Sequence, residues 1–128
     1  LEESIAHAKE RKYTSGTSLA EIETVQIHLA KMYNLVNSSV CAAKEATRSA
    51  AAGEEDALAK ILSARIIACE MVIEAGRLGM RVGGGKAYNK AGCMERLLRD
   101  AYAGQIMAPS ADVLTVWLGK AITGLPLV

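Results

Sequence analysis

The chain has 128 residues, enough for one domain that buries roughly two-thirds of its unfolded surface; 51% of them are hydrophobic, 4% aromatic, and none is phenylalanine. An alanine-rich, aromatic-poor composition argues against a β-sandwich and for close-packed helices, so an all-α fold is expected. The 15 Lys and Arg are balanced by 14 Asp and Glu without a basic stripe, which argues against nucleic acid, and no apolar run is long enough to span a membrane.

The opening "LEESIAHAKERK" is in helical register from its first residues and lacks the basic-then-apolar order of a secretion signal. It reads as the entry of a longer, cytoplasmic polypeptide. From Ser18 to about Ala52, the residues Ile22, Val25, Leu29, Met32 and Val36 recur at spacings of three and four, which predicts one apolar stripe on a helix about 50 Å long. Ser18 and Glu21 have the spacing of a capping box at its start.

Gly53 stops that helix, and "GEED" places acidic residues where the next helix presents its positive end. Leu58, Ile61, Leu62, Cys69, Val72 and Ile73 predict a returning helix to about Val82 with a broad apolar face. The segment "CMERLLRDAYAG" predicts a shorter helix ending at Gly104. Pro109 and Ser110 open a last one, with Leu114, Trp117, Leu118 and Ile122 on its buried side. Two long antiparallel helices with these shorter ones predict an up-and-down four-helix bundle, a single domain over residues 1–128.

Few residues offer chemistry. Cys41, Cys69 and Cys93 are odd in number and without a CxxC pair, so neither zinc nor a disulfide framework is indicated. His7 and His28 fall on expected helix surfaces with no second ligand at metal spacing, and no metal site is expected. Glu54 and Glu55 suit a helix dipole better than acid–base work, and Ser38 and Ser39 have no histidine in a readable relation. Arg99 and Asp100, being adjacent, point in different directions from their helix and are each expected to bond to another element.

The stretch "RVGGGKAYNK" is the exception. Glycines adopt positive φ without strain and let backbone N–H groups approach an anion. A phosphate-binding P-loop would need glycine where Met80 stands and Ser or Thr where Ala87 stands, so on spacing alone a helix cap with a sharp turn is the simpler reading.

The stretch "GGGKAYNKAGCMERLLRDAYAGQI" resembles the C-terminal domain of the acyl-CoA dehydrogenase family, with its two glycines, a following tyrosine, an "ER" and an "RDA". "AHAKERKYTSGTSLAEIETVQIHLAKM" is similar to the end of that domain's first helix, the turn and the second helix. The resemblance implies the same four-helix bundle at the C-terminal end of a longer flavoprotein. It further implies FAD as cofactor, an acyl-CoA or other small-molecule substrate, a place in fatty acid metabolism, and a homodimer or homotetramer built through this domain.

For individual residues the resemblance implies that Gly84 and Gly85 lie near the adenine and pyrophosphate of FAD, leaving Gly83 as the helix cap. Arg81 stands where the family commonly has glutamine, and the place of its FAD-contacting arginine falls to Arg11, or to Lys12 if one residue is counted as inserted before Gly16. The glutamate that serves many members as catalytic base is matched by Ala108, so no catalytic residue is assigned and a base would have to come from a helix upstream. Related flavin-dependent monooxygenases, which need no such glutamate, and a non-catalytic helical assembly module are the alternative readings.

Overall fold

A computed structural model describes residues Leu1–Val128, and its regular elements are all helices: α1 (Glu2–Glu10), α2 (Glu23–Ala52), α3 (Ala57–Gly83), α4 (Met94–Ile106) and α5 (Ala111–Thr123). Short 3-10 helices occupy Leu19–Glu21 and Gly84–Tyr88. The expected bundle is present with one of its rods divided, because α4 and α5 follow one another along α3.

That order can be read from close contacts. A Cβ on Gly104 would meet the Cys69 side chain, one on Gly76 would meet Leu98, and one on Gly79 would meet Met94, so α4 runs antiparallel to α3. Leu118 and Ile122 of α5 lie beside Ala59, Lys60 and Ala64, farther toward the start of α3. Gly104 is therefore a close-approach residue inside α4 and not its end; the Cys69 thiol donates to its carbonyl at 3.0 Å.

The start of α2 also differs from the sequence reading. The capping box forms, with the Ser18 N–H donating to Glu21 Oε1 at 2.8 Å, but it caps the 3-10 turn Leu19–Glu21, and the α-helix begins at Glu23. The last helix begins as expected, the Ser110 hydroxyl accepting from the Val113 N–H.

Val25 and Met32 are buried on the α2 stripe, and Leu62, Cys69 and Ile73 on that of α3. Leu58, Ile61 and Val72, expected on the same face, are 46, 44 and 46% exposed, and Val36 and Ile122 are exposed as well. A stripe this wide on a 27-residue helix has more apolar area than its neighbours in the chain cover.

At the α2–α3 turn, Gly53 takes φ +66° and Ser49, fully buried, donates to Glu54 Oε2 at 2.7 Å. Arg48 pairs with Glu45 and Glu54 at 2.7 Å each, and Lys60 with Glu54 at 2.8 Å and Asp56 at 3.0 Å. Bonds from Arg48 and then Lys60 hold both the Glu45 and the Glu54 carboxyl down at about 2, and the bonds to Glu54 and Asp56 push Lys60 above its ordinary value.

Depressed carboxyls stabilise the fold above their ordinary value of 4.5, and that contribution is lost as pH falls toward about 2; the contribution of Lys60 lasts past its ordinary 10.5 and is lost as pH rises beyond. Melting followed by circular dichroism should therefore fall between about pH 5 and about pH 2, by a modest amount because these pairs are solvent-exposed, and Glu54→Gln should flatten that fall. In the core, Met32, 1% exposed, should cost ~2–5 kcal/mol when changed to alanine, read by urea unfolding.

Candidate functional site

The ends of α1 and α3 meet in one corner. Ala8, Leu19, Val25 and Val82 pack there as a buried cluster, joined by Ala20, Ile22 and Leu29. Between Ala8 and Leu19 the chain reverses in a tight loop: the Tyr13 N–H donates to the Thr17 carbonyl at 2.9 Å, Gly16 takes φ +86°, and Lys12 pairs with Ser18 as an antiparallel bridge. Arg11 sits at the base of this loop, its carbonyl accepting from the Leu19 N–H at 2.8 Å. Its backbone is fixed while its side chain stays exposed.

The exit of α3 explains the three glycines separately. Gly83 is the last helical residue, not the cap, and a Cβ on it would come within 2.7 Å of the Ala87 Cβ. Gly84 is the cap, with φ +53° and ψ −141° and its N–H donating to the Met80 carbonyl. Such a backbone suits glycine alone. Ala87, 4% exposed, then tucks under the turn and holds it against the bundle. Nothing lies within 4 Å of the positions a Cβ would take on Gly84 or Gly85. The turn therefore presents bare main chain to the outside.

The surroundings are cationic. The ion pairs of the chain employ Arg48, Lys60, Arg77, Arg96 and Arg99, so the exposed Arg11, Arg81 and Lys86 have no carboxylate partner. Burial first, then Lys86 and Arg11, pushes the His7 imidazole below its ordinary value, with Glu10 opposing. His7, expected in solvent, is half-buried, and its Nε2 is shut off from solvent and without a partner; the same holds for Nδ1 of His28.

Of the four residues expected at the site, Gly84, Gly85 and Arg11 lie in this corner, and Arg81 is on the last turn of α3 beside it. Lys86 and His7 were missed by sequence reasoning. The lysine had a signal, since it directly follows the glycines, whereas the histidine had none without the packing of α1 on α3. Unpaired cations around glycine main chain that no side chain covers fit an anionic, phosphate-bearing group. It offers no nucleophile with an adjacent base, and no group of three His, Cys, Asp or Glu is placed to hold a metal.

Elsewhere the expectations divide. Ala108 is exposed in the link between α4 and α5 and brings no carboxylate there. Arg99 and Asp100 bond within α4, Arg99 to Glu95 at 3.6 Å and Asp100 to Arg96 at 3.4 Å, contrary to the expectation of partners on other elements. An apolar groove of about 590 Å³ is lined by α2, α3 and α4, among others by Met32, Val36, Val40, Val72 and Leu97, together with Leu1.

The family described as "Acyl-CoA dehydrogenase, C-terminal domain" matches residues 1–123. No curated protein matches the chain. Among solved structures, the chain is similar to the FAD complex of PigA, at 19% identity and a TM-score of 0.85 over 97% of this chain and 32% of that one. PigA with FAD and proline gives 18%, 0.86, 95% and 31% in the same order. The glutaryl-CoA complex of glutaryl-coenzyme A dehydrogenase gives 22%, 0.81, 98% and 32%. At these identities the likeness establishes the fold, and the chain spans about a third of the length of each of these proteins.

The two open glycines should separate in stability. Gly84→Ala forces a side chain into positive φ and should cost about 1–3 kcal/mol in urea unfolding. Gly85→Ala, with negative φ and free space, should stay within about 0.5 kcal/mol of the parent.

Proposed function

This chain belongs to the acyl-CoA dehydrogenase family, as its C-terminal domain, and from that premise we propose that it is the helical bundle of a longer, cytoplasmic FAD-dependent oxidoreductase. The observation that carries the proposal is the bare Gly84–Gly85 main chain set beside the unpaired Arg11, Arg81 and Lys86. Similar folds in PigA are complexes with FAD, and the one in glutaryl-coenzyme A dehydrogenase is a complex with glutaryl-CoA. The substrate class follows from the family: an acyl-CoA or another small molecule, as in fatty acid metabolism.

FAD when bound supplies the electron acceptor for the substrate. The part of this chain is to hold the cofactor's pyrophosphate: Gly84 and Gly85 let the main chain come close without a Cβ in the way, while Arg11 and Arg81 neutralise its charge. An α,β-dehydrogenation would also need a protein base for the substrate's α-proton. Ala108 cannot take a proton, so in a dehydrogenase that base would have to lie elsewhere in the protein. The same residue favours a second reading, a flavin-dependent monooxygenase, whose reaction needs no carboxylate there.

Assembly is part of the proposal. A monomer of this mass is expected to expose about 6,600 Å², and the chain exposes 8305 Å², with Val116, Ile106 and Ile122 each more than half exposed. The excess is about twice what one partner gives up in a standard interface of ~800 Å² per side, which leaves surface both for the rest of a longer polypeptide and for a second copy. Only 17 of 128 residues are buried in the single chain, in keeping with that.

Reconstituting the intact polypeptide with FAD should give bound flavin absorbance, and a folded protein that binds none at saturating cofactor overturns the proposal. Anaerobic bleaching by an acyl-CoA selects the dehydrogenase; oxygen consumption with reduced flavin and a phenolic or heteroaromatic substrate selects the monooxygenase. Light scattering should report a dimer or tetramer, and a monomer contradicts the assembly.

A further inference from the structure

We propose that the polypeptide preceding Leu1 continues α1 as a helix and lies in the apolar groove of α2, α3 and α4, completing a rod of the bundle that α1 only begins. The inference rests on the reading of this chain as part of a longer polypeptide and does not depend on where FAD binds.

Two contacts set the direction of α1. The Ser4 hydroxyl lies 3.3 Å from the position a Cβ on Gly79 would take, and Ala8 packs with Val82 about one turn further on, so α1 and α3 run the same way. Extended backward past Leu1, the axis of α1 passes over Gly76, Val72 and Ala68 of α3, which line the groove together with Leu1 itself. On one side, Met32 of α2 approaches Gly79 and begins a wall that Val40 continues; Ser39, between them, donates to the Met71 Sδ of α3 at 3.4 Å. On the other side stand Met94 and Leu97 of α4, and the neighbouring Leu98 meets Gly76. The groove is thus the seat of α1 prolonged.

Size and chemistry favour this occupant over others. From Met32 to Val40 the wall of α2 rises about 12 Å at ~1.5 Å per residue, so about two more turns of helix fill it. Val36, Val40, Val72 and Leu97 on its walls are each more than a third exposed in this chain, a contiguous apolar surface of the kind a packed rod covers. Glu2 and Glu3 are the only charged residues lining it, which disfavours the anionic head of an acyl-CoA. A second copy would reach the groove only by inserting a rod past Leu1, whereas a segment tethered at Leu1 starts inside it at high effective concentration. The first turn is already set, because the Leu1 carbonyl accepts from the Ile5 N–H and leucine carries no capping group that would end the helix. Leu1, Ser4 and Ala8 face inward at steps of three and four, and the same alternation puts residues roughly four, seven and eleven positions before Leu1 over the groove, where apolar or small side chains are expected.

The test uses the intact polypeptide carrying Val72→Cys or Leu97→Cys, each a small change of apolar side chain, treated with a water-soluble thiol reagent and read residue by residue. Either cysteine should react at least about a hundredfold more slowly in the native protein than in urea, and dilution should not change the ratio. Amide exchange of the parent, a reading that needs no variant, should show helical protection over roughly the ten residues before Leu1. Native labelling close to the rate in urea overturns the proposal. So does slow labelling that dilution relieves, which gives the groove to a second copy, and so does slow labelling beside a freely exchanging upstream segment. None of these readings involves FAD, so such a failure leaves the cofactor site standing, and a protein that binds no FAD can still show the covered groove. A native polypeptide that starts at Leu1 overturns the longer chain and this proposal together.

Discussion

The contact between Ala8 and Val82, closed over by Leu19 and Val25, ties the end of α1 to the end of α3 and thereby decides where every residue of the candidate site stands. Arg11 and His7 are on one side of it, and the glycine turn and Lys86 on the other. Alanine at position 8 lets the two helices approach, and the loop from Arg11 to Leu19 has to be tight because Leu19 returns to the same cluster. The site is thus a by-product of packing small and branched side chains into one corner, with charges left on its rim.

The opposite end of the bundle is built from different material. Ser49, Glu45, Glu54 and Lys60 bind α2 to α3 through ions and hydrogen bonds, and the carboxylates there are fully engaged with cations of the same cluster. Charge is satisfied at that end and unsatisfied at the glycine end. The contrast supports the proposal of an anionic ligand at the glycine corner and makes the α2–α3 turn a structural clamp. Between the two ends, Cys69, Gly76, Gly79 and Gly104 let α4 lie close on α3.

Much of this was legible in the sequence. The three- and four-residue spacing of Val25, Leu29 and Met32 located α2, Gly53 its end, and Ser110 the start of α5, because these signals act within a turn or two of helix. Less local features were not. Gly104 had the look of a stop and is a close-approach residue, since only the position of Cys69 on another helix requires a glycine there. The cap is Gly84 and not Gly83 for a similar reason: Gly83 stays in the helix with Ala87 folded close against it, a contact spacing does not show. The exposure of Leu58, Ile61 and Val72 was beyond periodicity altogether, because the spacing identifies an apolar face but not how much of it the chain's own helices cover.

The residues proposed to hold the cofactor lie between these cases. Gly84, Gly85, Arg11 and Arg81 were reached by resemblance, and spacing alone left the glycines as a helix stop; their gathering in one corner with Lys86 and His7 needed the fold. Amide hydrogen exchange on the intact protein with and without FAD tests the central claim most directly. Protection should rise at the main chain of Gly84 to Tyr88 and around Arg11, and stay unchanged at the α2–α3 turn. A cofactor that binds without protecting the glycine turn would contradict the account.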